Sequence, residues 1–371
     1  MTQSPDELPR AASTHRPRVG FLGVGWIGHH RMKAMNDAGL IEVAAIADSS
    51  RDMMAKAALL APEAKQVETL DALLDENLDG VVIATPTALH AAQSIRAFER
   101  GAAVFCQKPL GRTTAEVRAV VEAARAADRL LAVDLSYRFT DGMRRIRDLV
   151  RSGQLGRIYA ADLVFYNAYG PDKPWFYDAA LSGGGCVMDL GVHLVDLALW
   201  VLDFPDVQEL SATLFSGGER LEAESDRVED YAVATLKLNT GAAARLACSW
   251  RLHAGRDAII SAAFYGTEGG AELSNVGGSF YDFVAEHHRG TARKILCAPP
   301  DAWFGRAAVD WAARLAAGER FAPTAERLVD IARVLDRIYG RDSIQHDVRE
   351  LRVRGTRANK DRLRRRAPRV R

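Results

Sequence analysis

Short apolar runs alternate with amphipathic segments along residues 18–133, and this pattern predicts strands and helices in turn. The apolar runs predict strands at 18–22, 41–47, 80–84, 103–106 and 130–133. The amphipathic segments predict helices at 29–38, 53–60, 70–75, 89–100 and 115–127. Strands that alternate with helices are typical of an α/β fold, here an N-terminal Rossmann domain with a doubly wound parallel sheet.

The pattern changes after residue 138, where strands follow one another with fewer helices between them. A helix is predicted at 141–151, and strands at 157–166, 207–215, 230–238, 243–250 and 258–265. Consecutive strands indicate a C-terminal α+β domain with a largely antiparallel open sheet, covered on one face by helices 187–202 and 324–339. We expect the other face to carry Phe215, Leu236 and Trp250 and to be covered in a homodimer or homotetramer.

Four segments follow from these patterns. They are a disordered leader at 1–16, a dinucleotide-binding domain at 17–138, a substrate-binding and oligomerisation domain at 139–345, and a basic, disordered tail at 346–371. The leader has no apolar run and is not a secretory signal. The most apolar segment, the helix at 187–202, contains Asp and His residues, which argues against a membrane span.

Composition narrows the function classes. The chain of 371 residues has 48% hydrophobic and 26% charged residues and a formal net charge of +1, so no bulk charge implies nucleic acid or membrane as a partner. Its four cysteines are scattered, with neither metal-ligand spacing nor a disulfide framework. We therefore expect no metal and a reducing, cytoplasmic location.

A glycine-rich turn follows the first predicted strand. The turn is G-x-G-x-x-G, formed by Gly23, Gly25 and Gly28 around Trp26 and Ile27. Such glycines let the backbone approach a pyrophosphate at a helix N-terminus. The acid Asp48 ends the second strand, where it is expected to bind the adenosine ribose. We predict an NAD site, with NADP less favoured, although Arg51 nearby softens that preference.

Polar residues also follow the later strands of the predicted parallel sheet. Ligands of such sheets bind at the carboxyl ends of the strands. The residues expected to line one crevice there are Thr85, Pro86, Gln107, Lys108 and Tyr137. Lys108 is the best placed for chemistry, because a strand end aims it at the crevice.

The stretch from Gly183 to Asp196 is where we expect the chemistry. A run of three glycines leads into an apolar helix that nevertheless carries Asp189, His193 and Asp196. Asp189 and His193 are four residues apart and share one helix face, and Asp196 follows a turn later. Buried carboxylates and imidazoles need partners or a cleft. The alternative is that the Asp and the His form a hydrogen-bonded structural pair without a catalytic role.

Together these motifs resemble the Gfo/Idh/MocA family of NAD(P)-dependent oxidoreductases, over about residues 18–343. The family's T-P-N-x-x-H segment corresponds to Thr85 through His90, and its E-K-P segment to Gln107-Lys108-Pro109. Its W-R-x-D and G-G-G-x-x-x-D-x-G-x-H-x-x-D patterns correspond to 175–178 and 183–196. The resemblance implies that Lys108, Asp189 and His193 surround the reacting carbon next to the nicotinamide. It adds His90 to the cofactor site, and we expect Tyr166, Trp175 and Phe176 to contact substrate.

Four positions depart from the family pattern. Thr87 replaces the usual Asn, Gln107 the usual Glu, and Phe176 the usual Arg, while Arg31 stands where many members have His. The change at Phe176 weakens the expectation of a very polar or anionic substrate group. The catalytic trio is intact, so enzyme activity is still expected.

The resulting hypothesis is an NAD(P)-dependent dehydrogenase or reductase of a sugar, an inositol-like polyol or a sugar-derived metabolite. Alternatives are a ketoreductase of a nucleotide-linked keto-sugar, an NAD-dependent redox glycosidase, and a non-catalytic NAD-binding regulator. We expect His193 to be the general base in oxidation and the general acid in reduction. Asp189 is expected to orient it or the substrate hydroxyl and to favour the imidazolium, and Lys108 to stabilise a developing alkoxide. Proton transfer by Lys108 or Tyr137, with His193 only binding, is the other possibility.

Overall fold

The computed structural model describes residues 16–222 and 225–341. The basic tail expected at 346–371 lies outside the described residues, as does the expected leader apart from Arg16. Within the described chain, two sheets and their helices form two lobes, and a cleft lies between them.

The N-terminal sheet is the predicted parallel Rossmann sheet. Its strands are β1 (Arg18–Leu22), β2 (Glu42–Ala47), β3 (Lys65–Val67), β4 (Gly80–Ile83), β5 (Ala103–Cys106) and β6 (Leu131–Val133). They pair in the order β3-β2-β1-β4-β5-β6, the order of a doubly wound dinucleotide-binding fold. Strands β1, β4 and β5 are buried almost throughout because helices cover both faces of the sheet.

Five helices connect these strands. They are α1 (Trp26–Asp37), α2 (Arg51–Leu60), α3 (Leu70–Leu74), α4 (Thr87–Glu99) and α5 (Thr114–Ala127). Three of them begin where a hydroxyl accepts a backbone N–H of the first turn, at Ser50, Thr69 and Thr113. Helix α1 has no such cap and no acidic residue in its first turn. Its first N–H groups are therefore left to another acceptor.

The C-terminal sheet is mixed and mostly antiparallel. Its strands are β7 (Ile158–Asn167), β8 (Val207–Ser216), β9 (Glu219–Arg220), β10 (Tyr231–Leu238), β11 (Ala243–Ser249), β12 (Ala258–Gly266), β13 (Gly270–Asn275), β14 (Phe283–Arg289) and β15 (Ala292–Cys297). They pair in the order β15-β14-β13-β12-β7-β11-β10-β8-β9. Only β7 and β11 run parallel to each other among these pairs.

Helices cover one face of this sheet, as the sequence predicts. They are α6 (Asp141–Arg151), α8 (Val192–Val201) and α10 (Arg327–Ile338), whereas the one-turn α7 (Ala179–Ser182) packs against α4 of the Rossmann side. Helix α8 is buried on nearly every side, between the sheet and its neighbouring helices. The stretch Ala179–Val201 is long and apolar enough to cross a membrane by length and composition, but 89% of its apolar window is buried inside the protein.

The expected composition of the open sheet face was partly wrong. Phe215 does lie on that face, directly opposite Tyr231 of β10. Leu236 and Trp250 are instead 0% and 3% exposed and belong to the core under the helices. Successive strand residues point to opposite faces, so an error of one residue in the phase of a strand moves a side chain to the other face.

Helix α9 (Arg306–Ala316) joins the two lobes and is not predicted by the sequence pattern. Its buried Ala307, Ala308, Trp311 and Ala312 belong to the core of the Rossmann sheet. The Trp311 ring lies 5.9 Å from that of Phe105, and a Cβ at Gly80 would come within 2.7 Å of it. A segment late in the chain thus completes the N-terminal core and helps fix the orientation of the cleft.

Candidate active site

Most of the predicted site residues line one cleft of about 480 Å³ between the two lobes. From the Rossmann side these are Gly25, Trp26, Ile27, Thr85, Pro86, His90, Gln107, Lys108 and Tyr137. From the other side they are Trp175, Phe176, Asp189 and His193. A cleft of this size at the carboxyl ends of parallel strands is typical of a ligand site.

The glycine-rich turn is shaped to receive a phosphate group. A Cβ at Gly28 would lie 2.0 Å from the Gly23 carbonyl oxygen, so this glycine permits close packing of the turn. At Gly25, by contrast, a Cβ would meet no atom within 4 Å, because this residue faces the cleft. An open glycine beside the uncapped N-terminus of α1 leaves both space and N–H donors for a pyrophosphate.

Asp48 stands beside this turn, at the end of β2. Its Oδ2 accepts a hydrogen bond from the Val24 backbone N–H at 2.7 Å, and its Oδ1 accepts one from that of Ser50 at 2.8 Å. Each carboxylate oxygen keeps a lone pair for a ribose hydroxyl. Arg51 begins α2 and is exposed, outside the lining of the cleft.

Lys108 and Asp189 meet across the cleft. The Lys108 ammonium donates to Asp189 Oδ1 at 2.6 Å and to the Asp189 backbone oxygen at 2.7 Å. The indole N–H of Trp250 donates to the second carboxylate oxygen at 3.0 Å. With 20% and 17% of their side chains exposed, the two ions are shielded but still open to a ligand.

His193 is not paired with Asp189, which corrects the expectation that Asp189 orients it. The imidazole is 8% exposed, its Nδ1 has no hydrogen-bond partner among the described residues, and its ring packs edge-on against Tyr137 at 4.9 Å. Burial holds the pKa of His193 well below its ordinary value, and the nearby Lys108 and Arg31 lower it further. The neutral imidazole, not the imidazolium, is the favoured form.

A wide helical turn explains why spacing alone was misleading here. Residues Val187–Gly191 form a π-helical turn, closed by a bond from the Val192 N–H to the Val187 oxygen. The extra residue changes the relative direction of side chains that an α-helix would stack at a spacing of four. Asp196, one turn later, forms an ion pair with Arg138 and does not line the cleft.

The start of this helix is held by Glu229, which the sequence analysis did not single out. Its carboxylate, 1% exposed, accepts the N–H groups of Gly185 and Val187 at 2.8–3.0 Å and the Tyr339 hydroxyl at 2.7 Å. Burial raises the pKa of Glu229, and these donors partly oppose the rise. A Cβ at Gly185 would lie 1.9 Å from the Glu229 backbone oxygen, so only glycine allows this approach.

A second buried network lies under the Rossmann side of the cleft. The Arg31 guanidinium donates to Asp134 at 2.6 Å and to Ser136 at 3.1 Å, and Gln107 also donates to Asp134. Arg31 further contacts the backbone oxygen and the ring of Phe304, from the other lobe. Asp134 directly follows β6, so the strand-end rule that selected Gln107 would also have found it.

His90, which was predicted to belong to the cofactor site, has a structural role. It is 1% exposed, and its two ring nitrogens lie 2.7 Å from the backbone oxygens of Pro109 and Thr85. It packs between the two strand-end loops that carry Thr85, Pro86 and Lys108, and the single N–H of the neutral ring donates to one of these oxygens. Burial is the main reason that the pKa of His90 is lowered.

Tyr166 does not belong to the site, contrary to expectation. It lies on the open sheet face, where its hydroxyl is 3.5 Å from that of Tyr231 and the two rings stack. Its neighbour Phe165 points to the other face and lines the cleft. The expected substrate contacts Trp175 and Phe176 do line the cleft, as a stacked pair with ring centroids 3.8 Å apart.

Comparison with known proteins agrees with this architecture. The family model described as "Oxidoreductase family, NAD-binding Rossmann fold" matches residues 17–135, and "GFO/IDH/MocA C-terminal domain" matches residues 143–272. D-glucoside 3-dehydrogenase of Escherichia coli is 29% identical over 71% of this chain and 79% of that protein. The rhizopine catabolism protein MocA of Rhizobium meliloti is 30% identical over 50% of this chain and 57% of its own length.

Among solved structures, GenD2 from gentamicin A biosynthesis, in complex with NAD, has a TM-score of 0.75 at 23% identity. The match covers 91% of this chain and 97% of that one. The fold and the cleft define an NAD-binding oxidoreductase. The chain belongs to the Gfo/Idh/MocA family, which confirms the resemblance drawn from its motifs.

The two glycines of the turn give a sharp test of cofactor binding. We expect Gly25→Ala to raise the Kd for NAD about tenfold or more, because the new methyl group enters the open space, without lowering the thermal unfolding temperature. Gly28→Ala should weaken NAD binding and also destabilise the protein, since its Cβ would clash with backbone. Calorimetric titration and thermal unfolding measure both. Equal NAD affinity in Gly25→Ala and the unaltered protein would contradict the assignment.

Proposed function

We propose that the protein is an NAD-dependent dehydrogenase or reductase that acts on a CH–OH group of a sugar, a polyol or a sugar-derived metabolite. The observation that carries the proposal is the meeting of Lys108, Asp189 and His193 in one cleft beside the glycine-rich turn. The similarity to a D-glucoside 3-dehydrogenase supports a carbohydrate substrate. The cofactor, when bound, exchanges a hydride with the substrate carbon.

NAD is proposed as the preferred cofactor, held by Gly25, Trp26, Ile27 and the carboxylate of Asp48. A carboxylate at the end of the second strand accepts the ribose hydroxyls and repels a 2′-phosphate. Arg51 is exposed, and no contact with a described residue positions its guanidinium to bind a 2′-phosphate. The ratio of kcat/KM for NAD and NADP tests this preference, and an advantage for NADP contradicts it.

The Lys108 ammonium is proposed to bind the reacting oxygen. The carboxylate and the backbone oxygen of Asp189 accept two of the three N–H groups of the ammonium. The third is free to donate to a substrate hydroxyl or carbonyl. A positive charge at this oxygen stabilises the alkoxide character that develops as hydride leaves the carbon. Asp189 thus acts through Lys108 and fixes its position, while Trp250 fixes Asp189.

His193 is proposed as the group that takes the hydroxyl proton during oxidation. Its lowered pKa keeps the imidazole neutral and able to accept a proton at neutral pH. In reduction, the imidazolium returns this proton to the substrate oxygen. Burial strongly raises the pKa of the Tyr137 hydroxyl, with Asp189 adding to the rise, which disfavours Tyr137 as the proton acceptor.

The pH profile of His193 variants tests this assignment. Because the base form persists down to a lowered pKa, we expect kcat/KM for oxidation to fall only well below pH 6.5, the ordinary pKa of histidine. His193→Gln should lower kcat by about 10²–10⁴-fold and remove that acid limb, with little change in the Kd for NAD. A His193→Gln enzyme with near-normal kcat and only a raised KM would show that His193 binds and does not transfer the proton.

A homo-oligomer built on the open face of the C-terminal sheet is also proposed. The face carries Val164 and Tyr166 on β7, Tyr231 and Val233 on β10 and Phe215 on β8, without a covering helix among the described residues. A contiguous apolar face of this kind is commonly covered by a second copy. A cytoplasmic location is proposed as well, since the four cysteines are scattered along the sequence without a disulfide framework.

Sedimentation velocity measures this association. We expect a dimer or a larger assembly for the unaltered protein and a shift towards monomer for Val233→Lys, which places a charge in the middle of the face. Lys56→Ala, an exposed position on α2, serves as the matched control and should leave the assembly unchanged. A monomer throughout the micromolar range would contradict the proposal.

A further inference from the structure

The side of the cleft next to the Asp189 carboxylate carries aromatic residues. Trp250, which donates to Asp189, has its ring 6.3 Å from that of Phe176, in an edge-on arrangement. Phe176 in turn stacks with Trp175 at 3.8 Å, with an angle of 21° between the planes. Both rings of this Trp175–Phe176 platform are only half-buried. The apolar surface therefore begins at Phe176, one aromatic ring (Trp250) away from Asp189, and continues to Trp175.

Three more aromatic side chains belong to the lining of the cleft. Tyr281, Trp303 and Phe304 line it, with Trp303 5.0 Å from Tyr137 and Tyr281 5.4 Å from Phe304. Tyr281 is 47% exposed. Aromatic side chains that line a cleft are a common means of binding a flat, apolar group.

Every cation of the described lining is already paired with a carboxylate. Lys108 is held by Asp189, Arg31 is held by Asp134, and Lys173 lies 3.1 Å from Asp172 at the mouth. Inside the cleft, a phosphate, diphosphate or carboxylate on the substrate would find no unpaired cation, and the exposed Lys173–Asp172 pair carries no net charge. Bringing such a group out of water without a partner is costly, so the lining favours an uncharged substrate.

We propose, on the basis of the function proposed above, that the substrate is a neutral glycoside with a planar, apolar aglycone. The sugar hydroxyl lies between Lys108 and His193, and the aglycone lies on the Trp175–Phe176 platform. A free monosaccharide would leave this platform in water. A nucleotide-linked sugar would bring a planar base to it, but its diphosphate would meet only paired cations.

Steady-state kinetics with matched neutral and anionic substrates test the proposal. With NAD, we compare methyl β-D-glucoside, phenyl β-D-glucoside, phenyl β-D-glucuronide and UDP-glucose by following reduced nicotinamide. Burying one phenyl ring should raise kcat/KM for the phenyl glucoside about 10- to 100-fold over the methyl glucoside, mainly through KM. The glucuronide and UDP-glucose should both be poorer substrates than the phenyl glucoside.

Variants then locate the effect. Phe176→Ala and Trp175→Ala should bring the phenyl-to-methyl ratio close to one, whereas Tyr159→Ala should keep it. Tyr159 is the matched control, since it is an aromatic residue 49% exposed on β7 and outside the cleft lining. Phe176→Arg should lose the phenyl preference and gain relative activity with the glucuronide. Unchanged NAD affinity and thermal unfolding show that each variant is folded.

Equal kcat/KM for the phenyl and methyl glucosides overturns the inference, as does a phenyl preference that survives Phe176→Ala or a clear advantage of UDP-glucose. Direct binding separates this result from failure of the proposed function. Calorimetric titration of the NAD-loaded protein with both glucosides should show tighter, Phe176-dependent binding of the phenyl compound. If that binding is seen without any turnover, the aglycone site stands and the proposed reaction falls. If neither is seen, the aglycone site is refuted.

Discussion

The contact between Lys108 and Asp189 joins the two lobes at the point where chemistry is proposed. Lys108 follows the fifth strand of the Rossmann sheet, and Asp189 lies in the π-helical turn at the start of α8. Among the described residues, the Trp250 indole is the one further side-chain partner of this pair. Removing one member of a shielded ion pair leaves its partner without compensation, which costs more than the pair itself contributes. The relative position of the two lobes and the charge state of the cleft therefore depend on the same contact.

Other buried charges fix the elements that carry this pair. Glu229 holds the helix start through backbone N–H groups, and Asp134 gathers Arg31 and Gln107 under the Rossmann side. Arg31 is paired with Asp134 and Lys108 with Asp189, so neither cation depends on an anion from solution. His193, by contrast, has no carboxylate partner among the described residues. Lys108 and Arg31 lie near it and, together with burial, lower its pKa. A neutral base next to a fixed cation is the arrangement that removal of a hydroxyl proton requires.

The sequence predicted those parts of the site that follow from local rules. The glycine turn, Asp48 and Lys108 occupy positions set by strand ends, and the Rossmann topology places such ends along one edge. The prediction was wrong where the position of a side chain depended on the phase of its strand or on contacts between distant segments. Tyr166, expected to contact substrate, lies on the open sheet face, and the pairing of Asp189 depended on a π-helical turn that spacing does not reveal. The strands β13–β15 and helix α9 were missed, and β15 is mostly exposed, with no regular apolar alternation.

A double-mutant cycle in Lys108 and Asp189 tests the central claim most directly. Lys108→Met, Asp189→Asn and the double variant are compared with the unaltered enzyme in kcat/KM for sugar oxidation. If Asp189 acts by holding Lys108, the double variant should be about as active as the slower single variant, because the second substitution has little left to remove. Losses that multiply, with the double variant slower by the product of the two single effects, would show that the residues act independently and would contradict the account.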